Sequence, residues 1–172
     1  MKVTSILIFL FLSSFDDLEQ KKAEEYTAKA AFIYNFTKFI DWPDTQNSAE
    51  FHVAILKECP IKTALIEIAE TKRVNDKRID ISVIHSEEYP SNCQILFIPN
   101  TISSAEIEAA VKFYSGRQTL IISEQHGMLN RGSGINFLIE NHKIKFEINK
   151  KIIEKSHINI SSQLLKLAKK VQ

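Results

Sequence analysis

The residues able to do chemistry are few and far apart. Five histidines, His52, His85, His126, His142 and His157, are spread along the chain. No two stand at i, i+3 or i, i+4, the spacings at which one helix face offers paired metal ligands. No metal site is expected from them. The segment GMLNRGSG (127–134) holds three of the four glycines and invites a phosphate-loop reading. Gly127 and Gly132 have the required spacing, but Ser133 and Gly134 stand where a lysine and a hydroxyl residue are needed. The glycines are better read as turn formers. Ser133 is not in a GxSxG elbow. With no nucleophile, base or acid set in view, neither an enzyme nor a cofactor is expected.

Binding is the chemistry left open. The glycine loop follows the apolar run TLIIS, and ligands in open α/β sheets gather beyond the carboxyl ends of strands. A small-ligand pocket with His126, Asn130 and Arg131 is therefore one reading. Glu147 lies in the middle of the alternating run IKFEIN. It is either a salt-bridged carboxylate on the polar side of a hairpin or an acid that meets a ligand or partner beside Asn136 and Asn149.

The richest stretch is KAAFIYNFTKFIDWP (29–43), with four other aromatic residues and the only tryptophan. Ala28, Phe32, Phe36, Phe39 and Ile40 fall on one face at helical spacing, with Lys29, Asn35 and Lys38 between them. Pro43 biases Trp42 away from helical backbone, so the helix is expected to run from Leu18 to near Asp41. Its wide apolar face must be covered. It docks on this chain's own core, or it meets a partner through Phe36, Phe39 and Trp42, large residues of the kind that anchor interfaces.

These segments need a scaffold, and 172 residues suffice for one domain. The chain is 44% hydrophobic and 25% charged, with a formal net charge of +1. That is ordinary globular composition without a basic field for nucleic acid. Residues 1–15 pair a lysine with an apolar run that stops at Asp16-Asp17. This is the pattern of a secretory signal peptide, shorter than the ~20 residues of a membrane span. The mature part, 18–172, is expected to be exported. Export permits disulfides, and Cys59 and Cys93 could form one bridge. Spacing leaves the pairing open, because parallel strands would put the two at opposite ends of a sheet.

FHVAILK (51–57), RIDISVIH (78–85), QILFI (94–98) and TLIIS (119–123) read as strands, the last two buried on both faces. Pro60 opens a helix carrying Ile61, Leu65 and Ile68. Ser103 or Ser104 caps another, which Gly116 ends. The link between RIDISVIH and QILFI is too short for a helical crossover, so that pair is antiparallel or joined by a degenerate loop. INFLIEN (135–141) and KIKFEIN (143–149) form a hairpin about Asn141-His142. A short helix over 150–156 and a last one over 163–171 follow. The expected fold is α/β: a single three-layer domain with a mostly parallel central sheet, a long N-terminal helix and a C-terminal β-hairpin plus helix.

KAAFIYNFTKFIDWP, FHVAIL, CQILFI, LIIS, GINF, IKFEIN and ISSQLLKLA, in this order and spacing, resemble the YfiR-like family (domain of unknown function 4154). The resemblance covers nearly all of 18–172. It implies an exported, non-enzymatic α/β protein that binds the periplasmic part of a membrane-bound signalling protein. The partner class is a diguanylate cyclase or sensor kinase, held inactive to control cyclic di-GMP and biofilm formation. It also implies homodimer formation. Cys93 matches a family cysteine, but that residue's partner would fall near His52 and Val53, which are not cysteines. The alternative reading is a periplasmic sensor of a small ligand.

Overall fold

The computed structural model describes residues 3–43, 48–85 and 88–172, with side chains from residue 19 onward. The signal-peptide reading of 1–15 turns on side chains outside those described. Helix α1 spans Val3–Phe36. Five strands then alternate with helices: β1 (Ile40–Asp41), β2 (Glu50–Leu56), α2 (Ile61–Thr71), β3 (Arg73–Val74), β4 (Lys77–Ile84), β5 (Ile95–Ile98) and α3 (Ser104–Tyr114). The chain continues through β6 (Leu120–Ser123), a 3-10 turn (Met128–Arg131), β7 (Ile135–Glu140), β8 (Lys143–Ile148) and α4 (Lys150–Lys155). It ends with β9 (Asn159–Ile160), α5 (Ser162–Leu167) and β10 (Lys170–Val171).

Eight strands form one sheet in the order β10-β8-β7-β6-β5-β2-β4-β3. The middle of the sheet is parallel as expected, and β10 also runs parallel to β8. The β7–β8 and β3–β4 pairs are antiparallel, so a mostly parallel sheet is only partly right. Both antiparallel pairs are hairpins turned by two residues at positive φ, Asn75-Asp76 and Asn141-His142. Two consecutive positive-φ residues match the right-handed twist of the strands they join. The β4 and β5 strands do not pair with each other. Both flank β2 in parallel, and the connection between them crosses over β2 with no helix among its described residues. This is the degenerate loop left open by its length.

Strand β2 shows why two cores form. Side chains alternate between faces, so Phe51, Val53 and Ile55 join one hydrophobic cluster while Ala54 and Leu56 join the other. The first face carries α1, α2, α4 and α5, through Ile33, Leu65, Ile153 and Leu164. The second carries α3, through Ile107, Ala110 and Tyr114. Ser103 caps α3 in a box with Glu106, satisfying two otherwise orphan backbone donors.

Helix α1 ends at Phe36 rather than Asp41. Ile40 and Asp41 leave the helix to pair with Ile160 and Asn159 of β9, and the Phe39 carbonyl accepts from the Ser161 N–H. A tertiary strand pairing thus stops the helix before Pro43 can. The buried stripe of α1 is also turned from the expected face. It runs through Tyr26, Ala30, Ile33 and Phe36, with Ala28 and Phe32 on its flank.

Gly132 has φ +114°, and a Cβ there would lie 2.3 Å from Val111 Cγ1 on α3. Gly132→Ala is expected to lower stability by about 1–3 kcal/mol or more, from backbone strain plus the clash. Gly127→Ala shares the positive φ but meets open space, so its melting temperature should fall less. Thermal denaturation of the two variants side by side checks this.

Candidate functional site

The carboxyl ends of β5 and β6 open onto a cavity of about 540 Å³. Lys29, Glu124, His126, Asn130, Glu147 and Lys169 line it, with Asn100, Glu140 and Lys170. Helix α1 supplies Lys29, the first residue beyond β6 is Glu124, and the 3-10 turn brings Asn130. The C-terminal strands contribute Glu147 and Lys170, which are register partners across β8 and β10. The lining is mixed in sign, suited to a ligand carrying both charges or to polar contact with a protein.

Its floor is a buried ion pair. Lys29 and Glu124 have side chains only 4% and 2% exposed, and Lys29 donates to Glu124 Oε2 and to Glu25. Glu124 Oε1 accepts from the Tyr26 hydroxyl at 2.9 Å and from the Asn100 N–H at 3.0 Å. Each carboxylate oxygen therefore has a donor, the condition under which a charge is tolerated out of water. Burial, followed by the Glu124 charge, pushes the Tyr26 phenol well above its ordinary range. The sequence reading missed this cluster, setting Lys29 only between the residues of the apolar stripe and giving Glu124 no role. A stripe started at Tyr26 and stepped by three and four would have put Lys29 inside. The position of Glu124, just beyond a central strand, was a second signal.

The proposed site residues divide. Glu147 lines the cavity and is half-buried. Arg131 instead lines a separate hollow with Gly132, Ile152 and Lys155. Asn136 is buried, and its Oδ1 accepts from the Ser123 hydroxyl at 2.7 Å. Asn149 caps α4 by accepting from the Ile152 N–H at 3.1 Å, and donates to the Leu129 carbonyl at 2.9 Å. Both asparagines thus have structural partners. Ser133 is buried against Ser123 and the Ile121 and Ile135 carbonyls.

Phe36 and Trp42, considered as partner contacts, are 2% and 3% exposed. Phe36 packs edge-on to Phe146 at 4.9 Å between centroids, and Trp42 packs on Phe51 at 5.0 Å. Phe39 is half-buried. Of the two readings of the aromatic stretch, docking on the chain's own core describes Phe36 and Trp42.

The bridge left open by the sequence does not form: Cys59 and Cys93 are both free and buried. Cys59 belongs to the core under α1 and Cys93 to the core under α3, with the sheet between them. Burial pushes the Cys93 thiol up to about 12 and raises Cys59 as well. Folded Cys93 therefore keeps a proton that the unfolded chain releases above about 8.5. The stability from this difference is complete below that pH and declines as pH climbs toward 12. Neither thiol should react with iodoacetamide in the native protein at mildly alkaline pH, and both should react in guanidinium. Mass spectrometry of the alkylated chain reads the count.

A family model described as DUF4154, YfiR/HmsC-like, matches residues 26–169, which takes in α1 from Tyr26 through Lys169 before β10. The chain belongs to the YfiR/HmsC-like family. No curated protein matches it closely enough to count as a relative. For this YfiR/HmsC-like chain, the matched span holds both cores, the buried Lys29–Glu124 pair and most of the cavity wall. Among the described residues, no helix is long and apolar enough to cross a membrane.

Proposed function

We propose that this chain is an exported, non-enzymatic regulator that binds the periplasmic part of a membrane-bound signalling protein and holds it inactive. A diguanylate cyclase is the first partner class, with output in cyclic di-GMP and biofilm formation; a sensor kinase is the second. Membership of the YfiR/HmsC-like family is the observation that carries the reading. A groove of about 610 Å³ between α1 and the β7–β8 hairpin supports it. Ala28, Phe32, Ile139 and Ile144 make the groove apolar, and Glu24, Glu25 and Lys143 rim it with charge. An apolar centre with a charged rim is the common anatomy of a protein interface. Phe32 replaces Phe36 as the aromatic contact, and Phe39 remains available at the helix end.

Repression then works by mass action: the partner conformation bound more tightly is the one populated. Driving a balance from 1:99 to 99:1 takes about 5.5 kcal/mol of differential affinity. The test is co-purification of the processed protein with a membrane cyclase or kinase, paired with a deletion strain. Raised cyclic di-GMP and biofilm mass after deletion are expected for the cyclase reading. Unchanged levels with no captured signalling protein reject the regulator.

The cavity beside the 3-10 turn favours a second reading, a sensor of a small ligand. Thermal shift against a nucleotide and amino-acid panel separates the two. A flat response across the panel counts against the sensor.

A further inference from the structure

We propose that Glu50, His52 and Asp80 form a binding site for a divalent transition cation of the zinc class, on the second face of the sheet. The site is independent of the regulatory reading. Its three donors come from two parallel strands in direct register. His52 of β2 faces Asp80 of β4, and Glu50 lies two residues before His52 on the same face. One donor atom from each residue lies within 4.8 Å of the other two. Tetrahedral ligands at about 2.0–2.2 Å from one ion lie about 3.3–3.6 Å apart, so the site closes by roughly an ångström of side-chain rotation, within the reach of the part-exposed Glu50 and Asp80 carboxylates. His52 Nδ1 is already 3.0 Å from Asp80 Oδ2.

The scaffold is rigid where the ligands are mounted. The His52 N–H donates to Gln94 Oε1 at 2.6 Å, and its carbonyl accepts from the Gln94 N–H at 3.0 Å. β2 is thereby pinned to the residue before β5. Access is open: the His52, Glu50 and Asp80 side chains are part-exposed. The same face turns apolar two residues further along, at Ala54 and Leu56, so the polar residues are confined to the amino-terminal corner of the sheet.

One imidazole with two carboxylates is the donor set of zinc and its first-row neighbours rather than of copper(I) or calcium. Water would complete the coordination. Arg78 now holds Glu50 at 3.0 Å, but it is 73% exposed, and an exposed pair of this kind is weak competition for a dication. A bound ion would tie β2 to β4 and stabilise the folded chain in proportion to its occupancy.

Calorimetric titration of zinc chloride into the full, untagged chain tests the site. One zinc per chain in the micromolar range is expected, with a rise in melting temperature. His52→Ala, Asp80→Asn and Glu50→Gln should each weaken binding about tenfold or more, with circular dichroism unchanged. His142→Ala, at the exposed tip of the β7–β8 hairpin, should not. No zinc uptake, or undiminished affinity in His52→Ala and Asp80→Asn, overturns the proposal. Should His52→Ala fail to fold, Asp80→Asn on the more exposed strand decides it.

Discussion

Replacing Lys29 with alanine is expected to destabilise the protein by about 3–5 kcal/mol. The magnitude follows from what is left behind. Glu124 keeps donors from Tyr26 and Asn100 but loses the cation that balances it in a nearly dry setting. Total stabilities run to about 5–15 kcal/mol, so this one change takes a large share. A paired replacement, Lys29→Met with Glu124→Gln, removes both charges together while an amide oxygen still accepts from Tyr26 and Asn100, and should recover most of the loss, because desolvation offsets much of a buried pair's attraction. Urea denaturation measures both: a lower midpoint at unchanged slope for the single variant, and a near-normal midpoint for the pair. A single variant as stable as the parent would mean that water reaches Glu124.

Phe36→Ala is expected to cost about 3–5 kcal/mol through lost burial and the cavity it leaves. Phe36 meets Phe32, Phe137 and Phe146 in one aromatic cluster at the crossing of α1 and the hairpin. Each such pair adds about 0.5–1.5 kcal/mol beyond area burial. Ile139→Lys should behave in the opposite way. Ile139 is 50% exposed on the groove wall, so stability should change by no more than about 0.5 kcal/mol while binding to the proposed partner is lost. Denaturation curves and co-purification on the two variants divide core from surface. A stable Phe36→Ala protein that had lost its partner would return Phe36 to the interface.

The hairpin and the helix caps were legible because they are local. Asn141-His142 between two alternating runs, Ser103 with Glu106 three residues on, and Pro60 at a helix start each act through neighbouring backbone. The apolar runs of β5 and β6 announced strands covered on both faces, and the order of elements announced the α/β class. The short strands β1, β9 and β10 were not legible. Two residues show no periodicity, and their pairing is between segments more than a hundred residues apart in the case of Ile40 and Ile160.

What the sequence determined by itself was the order of the longer helices and strands, the two-faced burial of the central strands and the family. What only the tertiary structure decided was which residues of a given type come together. Lys29 sits between the residues of the expected Ala28–Phe32–Phe36 stripe, and is buried once α1 turns its Tyr26–Ala30–Ile33 stripe to the sheet. His52 has no partner at helical spacing, yet the parallel register of β2 and β4 sets Asp80 beside it. Local preference fixes backbone conformation over a few residues; register and helix rotation are set by the packing of whole faces, and these choose the neighbours of every side chain.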